Sequence, residues 1–472
     1  MEIQFLGANN GEVTGSRTLL TLPNGLKILV DFGMTQSNLG ELKQTLDWNG
    51  REFEFDVNDI DYLIITHSHA DHSNLVPLLI KRGFKGKIIA TAPTAEFCAI
   101  SFPDSAKIMQ SDCEMANKRR PKNKLEPLYD KEDAINAVDL IQCYDYNTDI
   151  VIDSSTKIEL LCAGHILGAC MPRITYTYKN NKKKIILFTG DISGKSGIEH
   201  PFLRPTEDLG EIDYLVMEST YGNKIRKREN VESIITDAIK ETCIDNKKTL
   251  IFPVFSIQRS SEILWLLREA YINNESFYKI PIYLDTPMGI KAQLVMENNR
   301  EYWGENWLNR DNSLKSLFDW EVLQYVNDYK ESLALANGHP KIILSSSGMC
   351  TGGRILSHIE SFLPSKGCRF LFSGYQVEGT LGHKIINTQC KSISVNRRPL
   401  TIRADIDQFS FSSHADLNGL IEVAKSSKKG MLKRIFINHG DEDACDNLKA
   451  ELERHLKNVE VVIPEYKDKY KI

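Results

Sequence analysis

The chain has 472 residues, more than one ordinary hydrophobic core supports, so its length points to two packed units. With 42% hydrophobic, 26% charged and 9% aromatic residues, the composition is that of a folded globular protein and excludes disorder as the main state. Lys plus Arg total 58 against 63 Asp plus Glu, a net charge of −5, which excludes a polyanion binder held by overall charge but not a local basic cleft.

In chain order, residues 1–6 read as a first strand rather than a leader, and no run approaches the roughly 18 apolar residues of a membrane helix. A cytoplasmic protein with no membrane partner is expected. The ten cysteines are scattered with no C-x-x-C pair and read as core thiols. Short apolar runs at 27–31 and 61–66, with an Asn24-Gly25 turn, are strand and hairpin signals. Residues 74–83 and 92–101 read as short helices around a strand at 87–90, and 105–137 as polar and helical with a basic cluster at Lys118 to Lys124. Strands are expected at 150–161, 173–178, 184–189 and 214–218, with a hairpin tip at 179–183. After that, strands at 249–254, 280–285, 341–345 and 369–373 alternate with helical stretches at 231–243, 260–271, 287–329 and 353–362, the rhythm of a parallel sheet. A helix at 441–456 and a strand at 459–463 close the chain. The β/α-alternating part reads as inserted into the rest.

The strand at 61–66 runs straight into His67-Ser68-His69-Ala70-Asp71-His72. Three imidazoles and a carboxylate within six residues make a poor core, because each needs its own polar partner, but a good metal site. His67 and His69 can address one ion, Asp71 and His72 a second. Oxygen and imidazole without thiolate suit Zn²⁺ first, then Mn²⁺ or Fe. One such motif cannot fill two sites. His165, Asp191 and His439 each follow an apolar strand, and together they repeat one placement: strand end, small or polar residues, ligand.

This set resembles the metallo-β-lactamase superfamily, and within it the β-CASP nucleases, which include the cleavage and polyadenylation specificity factor endonuclease, ribonuclease J and bacterial and archaeal relatives. The resemblance spans almost the whole chain. It implies an αββα sandwich of the α/β class, at 1–222 and 386–472, interrupted by an inserted parallel-sheet β-CASP domain at 223–385. Asp31 resembles the family's supporting aspartate. His67, His69, His165 and Asp191 match the ligands of one zinc, and Asp71, His72, Asp191 and His439 those of the other, with Asp191 bridging. Glu218 resembles motif A of the branch, His414 motif B and His439 motif C, where histidine goes with action on RNA. Asn74, Gln258 and Ser413 depart from the pattern, since relatives often have glycine, or glycine or alanine, there.

The resemblance implies hydrolysis of RNA phosphodiester bonds on two Zn²⁺, giving 5′-phosphate and 3′-hydroxyl ends, with single-stranded RNA as substrate and a homodimer as an oligomeric option. Asp71 would orient the attacking water, and His414, kept cationic by Glu218, would be the general acid. Ser412, Ser413, Arg259, Ser347 and Gly348 are candidates for holding phosphate. His200, His339, His358, His383 and His455 match no ligand motif and read as structural or exposed. Rival readings are another hydrolase of the same fold and a catalytically silent RNA-binding scaffold.

Overall fold

The computed structural model describes residues 1–9, 11–35, 42–119, 124–195, 200, 202–227, 229–304, 318, 320–338, 340–374, 376–387, 392–395 and 398–472. The chain separates into two compact units: Met1–Ile225, Glu301–Glu305 and Ser413–Ile472 form the first, Arg226–Arg300 and Asn306–Ser412 the second.

The strands of the first unit, most of them buried on both faces, pair into two seven-stranded sheets. One runs Lys469–Lys471, Glu2–Gly7, Arg17–Thr21, Lys27–Val30, Tyr62–Ile64, Lys87–Ala90, Ile141–Cys143 in spatial order. The other runs Glu460–Val462, Arg434–Asn438, Tyr214–Glu218, Lys183–Phe188, Cys170–Thr177, Thr156–Cys162, Ile150–Val151. Each sheet is antiparallel in one half and parallel in the other. Phe5, Ile28 and Ile64 of the first sheet meet Ile174, Ile186, Val216 and Phe436 of the second in one core. Burying each such side chain contributes about 1.5–3 kcal/mol before the entropy of ordering it is set against that.

The opposite faces are covered as well. Leu29, Leu63 and Ile88 pack with Leu79 of the helix Val76–Lys81, Phe102 of Ala92–Arg119 and Ala134 of Lys131–Asp139. On the second sheet Leu215, Met217, Ile435 and Ile437 are fully buried on the face away from Val216 and Phe436, where the helices Leu417–Lys425 and Glu442–His455 bring Leu420, Leu448 and Leu452. This is the expected αββα arrangement.

The second unit is a six-stranded, wholly parallel sheet in the order Leu323–Tyr325, Ile282–Asp285, Lys341–Ser345, Thr249–Pro253, Arg369–Ser373, Asp405–Phe409. Its strands are near-continuous apolar runs such as Leu250 to Phe252 because helices lie between them in sequence. Asp405–Phe409 lies beyond residue 385, the expected end of the insertion, yet completes this sheet.

Three expected elements differ. Residues 92–101 and the start of 105–137 form one helix, Ala92–Arg119, that continues through Pro103. The strand expected at 150–161 is a hairpin, because Asp153 Oδ1 accepts from the backbone N–H groups of Ser155 and Thr156 at 2.7 and 2.8 Å and turns the chain. Of the helical stretch expected at 287–329, Pro287–Asn298 is a helix, and Leu323–Tyr325 is a strand drawn in by the edge of Ile282–Asp285. His339 and the residues 305–317 lie outside the described residues. No helix among the described residues is long and apolar enough to cross a membrane.

Candidate functional site

Every candidate ligand follows the end of a strand in the first unit. Tyr62–Ile64 leads to His67, Thr156–Cys162 to His165, Lys183–Phe188 to Asp191 and Arg434–Asn438 to His439. His69 precedes the one-turn helix Ala70–Ser73, which carries Asp71 and His72. The parallel register pairs Phe188 with Val216 and Glu218 with Asn438, so these strand ends finish side by side. Asp31, His165 and His439 have φ of 58°, 43° and 54°, the left-handed region, at about 1 to 3 kcal/mol each, held by the surrounding structure.

The side chains converge in two groups. His67 Nε2 and His165 Nε2 each lie near His69 Nδ1, at 3.1 and 3.0 Å, and each 3.5 Å from Asp191 Oδ2. In the other group His72 Nε2 lies 3.0 Å from His439 Nε2 and 3.2 Å from Asp191 Oδ1, and His439 Nε2 lies 3.4 Å from Asp71 Oδ2. The two oxygens of Asp191 therefore divide between the groups. His414 and Glu218 form a third cluster with Asp191: His414 Nδ1 lies 3.1 and 3.0 Å from the two Glu218 oxygens, and its Nε2 3.9 Å from Asp191 Oδ2.

A buried support fixes the rings. Asp31 Oδ1 accepts from Thr66 N at 2.8 Å, and Oδ2 accepts from Thr66 Oγ1 at 2.8 Å and faces His72 Nδ1 at 2.7 Å. Thr66 Oγ1, its proton given to Asp31, is left to accept from His67 Nδ1 at 3.1 Å. One carboxylate thus sets the tautomers of two rings and leaves both Nε2 lone pairs pointing into the centre. Ser413 Oγ lies 3.4 Å from His165 Nδ1, and Thr220 Oγ1 3.3 Å from His439 Nδ1. Glu218 is held in turn by the N–H of Ile192 at 2.7 Å and of Thr220 at 3.3 Å.

Electrostatics follow burial and the four carboxylates Asp31, Asp71, Asp191 and Glu218. Burial holds His67 and His165 well below the ordinary histidine range, and lowers His69 to about 4. At His72 and His439 burial acts the same way but is outweighed, chiefly by Asp191, so both are raised. At His414 burial is outweighed by Glu218 first and then Asp191, pushing it up to about 9. Burial alone would raise Asp191, but His439, His72 and His67 hold it well below the carboxylate range.

These residues fit divalent ions. Asp191 Oδ1 is buried and makes no hydrogen bond among the described residues, although His72 Nε2 is 3.2 Å away. Asp31, Asp71 and Asp191 draw positive charge onto His72 and His439, yet two cationic rings cannot face each other at 3.0 Å through Nε2. A shared cation meets the same demand with both rings neutral, and the donor set of imidazole and carboxylate suits a divalent metal ion.

The phosphate candidates are more dispersed. Ser412, Arg259, Ser347 and Gly348 belong to the second unit. Arg259 Nη1 lies 2.9 Å from the fully buried Glu262 carboxylate, and its guanidinium stacks 4.8 Å over Phe411, so its charge is already balanced. Ser347 Oγ is used within its own loop, near Thr351 Oγ1 at 3.2 Å and accepting from Thr351 N at 3.0 Å. Gly348 is pressed against Phe255, where an added Cβ would meet ring and backbone at 3.0 Å. Arg226 donates to the Ser412 carbonyl. Ser413 is buried with its hydroxyl toward His165, a supporting rather than an open position. Gln258 has φ 62°, which gives the physical reason glycine suits that position; Asn74 has φ −72° and donates to Ser105 Oγ at 3.3 Å, so glycine is not required there. His358 pairs with Asp285 at 2.6 Å and is structural, as expected. Sequence reasoning missed Thr66, Thr220 and also Ser193, whose hydroxyl accepts from the His165 backbone N–H; the available signal was a hydroxyl residue next to or near each ligand loop.

A sandwich with imidazoles and carboxylates converging at strand ends, interrupted by a parallel-sheet unit, defines a hydrolase of the metallo-β-lactamase class. The metallo-beta-lactamase superfamily matches residues 11–124, the Beta-Casp domain 260–385, and the Zn-dependent metallo-hydrolase RNA specificity domain 399–464. An RNase J-like protein of Methanocaldococcus jannaschii is 30% identical over 88% of this chain and 87% of its own length. Ribonuclease TTHA0252 of Thermus thermophilus is 28% identical over 92% of this chain and 91% of its own, and endoribonuclease ysh1 of Schizosaccharomyces pombe 27% over 98% and 57%. A solved structure of a protein of unknown function from Enterococcus faecalis shares the fold, with TM-score 0.53, 11% identity and 99% of each chain covered. The chain belongs to the β-CASP family of the metallo-β-lactamase superfamily.

Proposed function

We propose that this protein is a zinc-dependent ribonuclease that hydrolyses phosphodiester bonds of single-stranded RNA, leaving 5′-phosphate and 3′-hydroxyl ends, as an endonuclease first and with 5′-3′ exonuclease action as a second mode. The observation that carries the reading is the pairing of two His/Asp clusters joined by Asp191 with a His414–Glu218 pair 3.0 Å apart beside them. Relatives named as ribonucleases over most of the chain support RNA as the substrate.

His67, His69, His165 and Asp191 would hold one Zn²⁺, and Asp71, His72, Asp191 and His439 the other, with Mn²⁺ or Fe as alternatives. When bound, the ions supply charge neutralisation for the phosphate and a more acidic water. Asp71, partly exposed with Oδ2 3.4 Å from His439 Nε2, orients the attacking water by accepting its hydrogen bond. As the water oxygen bonds to phosphorus and the P–O3′ bond breaks, the leaving oxygen needs a proton. His414 supplies it from Nε2, since Nδ1 is committed to Glu218 and the raised pKa of about 9 keeps the ring protonated at neutral pH.

The test is a labelled single-stranded RNA incubated with and without chelator. Cleavage that stops with chelator and yields 5′-phosphate ends is expected. Unchanged cleavage in chelator, or no cleavage by fully metal-loaded protein, would sink the proposal.

A further inference from the structure

The chain leaves the second unit after Arg300, contributes Glu301–Glu305 to the first, and then returns. The described part of this excursion is deeply seated. Trp303 is 2% exposed and meets Phe202 ring to ring at 5.2 Å, while Tyr302 is 7% exposed. Arg204 Nε donates to the Trp303 carbonyl at 3.1 Å and Nη2 to that of Glu301. Tyr302 donates its hydroxyl to Asp145 Oδ1 at 2.7 Å and packs edge-on against Tyr146 at 5.1 Å.

Two neighbours of the excursion, Tyr146 and Arg204, touch the loop that carries His165. Tyr146 donates its hydroxyl to the Ala169 carbonyl at 2.9 Å, closing one side of residues 163–169. On the other side Gly164 lies so near Arg204 that an added Cβ would sit 2.9 Å from the Arg204 carbonyl oxygen. Two residues beyond Arg204, Thr206 donates its hydroxyl to the Ala163 carbonyl at 2.8 Å. His165 itself sits at φ 43°, a conformation its own backbone does not favour. The loop is therefore held from outside by Tyr146, Arg204 and Thr206, and Tyr302 and Trp303 contact two of these, Tyr146 and Arg204, one layer further out.

We propose that Tyr302 and Trp303 are positioning residues for His165: a segment sent out by the inserted unit braces the loop of one candidate metal ligand, so that metal retention depends on it. This rests on the reading of His165 as a ligand.

The test measures release of zinc from the purified full chain to a colorimetric chelator, alongside the melting temperature, for Tyr302→Phe, Trp303→Ala, Trp303→Phe and His165→Ala. Tyr302→Phe and Trp303→Ala should release zinc about tenfold faster than the parent at a temperature well below melting, with Trp303→Phe restored close to the parent rate. Tyr302→Phe removes only a hydroxyl and keeps the question answerable if Trp303→Ala does not fold. A lowered melting temperature with unchanged zinc release means a packing role alone and overturns the inference. His165→Ala with full metal content would instead remove the ligand reading and the inference with it, a failure seen on a different variant.

Discussion

At the scale of residues, the strongest test falls on His414 and Asp31, because their contacts separate proton transfer from metal holding. His414 bonds Glu218 through Nδ1, and its Nε2 stands 3.9 Å from Asp191 Oδ2, so His414→Ala should keep the metal content while hydrolysis falls by about 10² to 10⁴. Metal analysis beside a turnover assay decides it; loss of metal would remove the general-acid role. Asp31 behaves oppositely. It bonds both Thr66 and His72, so Asp31→Ala should weaken metal binding by about 10- to 100-fold, measured by chelator competition, and reduce activity through that loss. The glycine after Phe32 is equally constrained, though by space: a Cβ on Gly33 would lie 1.6 Å from the Asp71 carbonyl oxygen. Gly33→Ala must push the Asp71–His72 turn away, and about 1–3 kcal/mol of lost stability together with reduced metal content is expected from thermal unfolding and metal analysis.

At the scale of elements, the buried carboxylate of Asp285 ties three parts of the second unit together. It sits at the end of the strand Ile282–Asp285, accepts from Arg354 Nη1 at 2.7 Å, and faces His358 Nε2 at 2.6 Å; Ser332 Oγ donates to it at 2.5 Å. Burial alone would raise its pKa, but the bonds from His358, Ser332 and Arg354 outweigh that and hold it below the ordinary range. A depressed folded pKa means the contribution is complete above the unfolded value of about 3.9 and is lost as pH falls through the lower folded value. Asp285→Asn should therefore cost about 3 kcal/mol at neutral pH, and the gap in denaturation midpoint between parent and variant should close below about pH 4. A gap that persists at acid pH would show that the ionised carboxylate is not what ties these helices.

At the scale of the whole molecule, all the candidate ligands belong to the first unit, so metal should stabilise that unit directly. A ligand at 100 times its Kd adds about 2.7 kcal/mol to the state that binds it. Removing metal should raise hydrogen exchange at 63–72, 163–166, 189–192 and 436–440 and leave strands Thr249–Pro253 and Lys341–Ser345 unchanged, as mass spectrometry would read directly. What the sequence determined by itself is local: the H-x-H-x-D-H run after a strand, the strand-end placement of His165, Asp191 and His439, and the β/α rhythm of the inserted unit. Each of these is carried by neighbours in the chain, whose spacing and polarity already state what they need. What only the tertiary structure decided is which distant groups meet. Thr66 stands between Asp31 and His67, Ser413 faces His165 rather than an open phosphate position, Arg259 is neutralised by Glu262, and the Tyr302–Trp303 segment, which interrupts the second unit in sequence, packs into the first. Strand register and side-chain packing bring these contacts about, and neither is written in any local window of the chain.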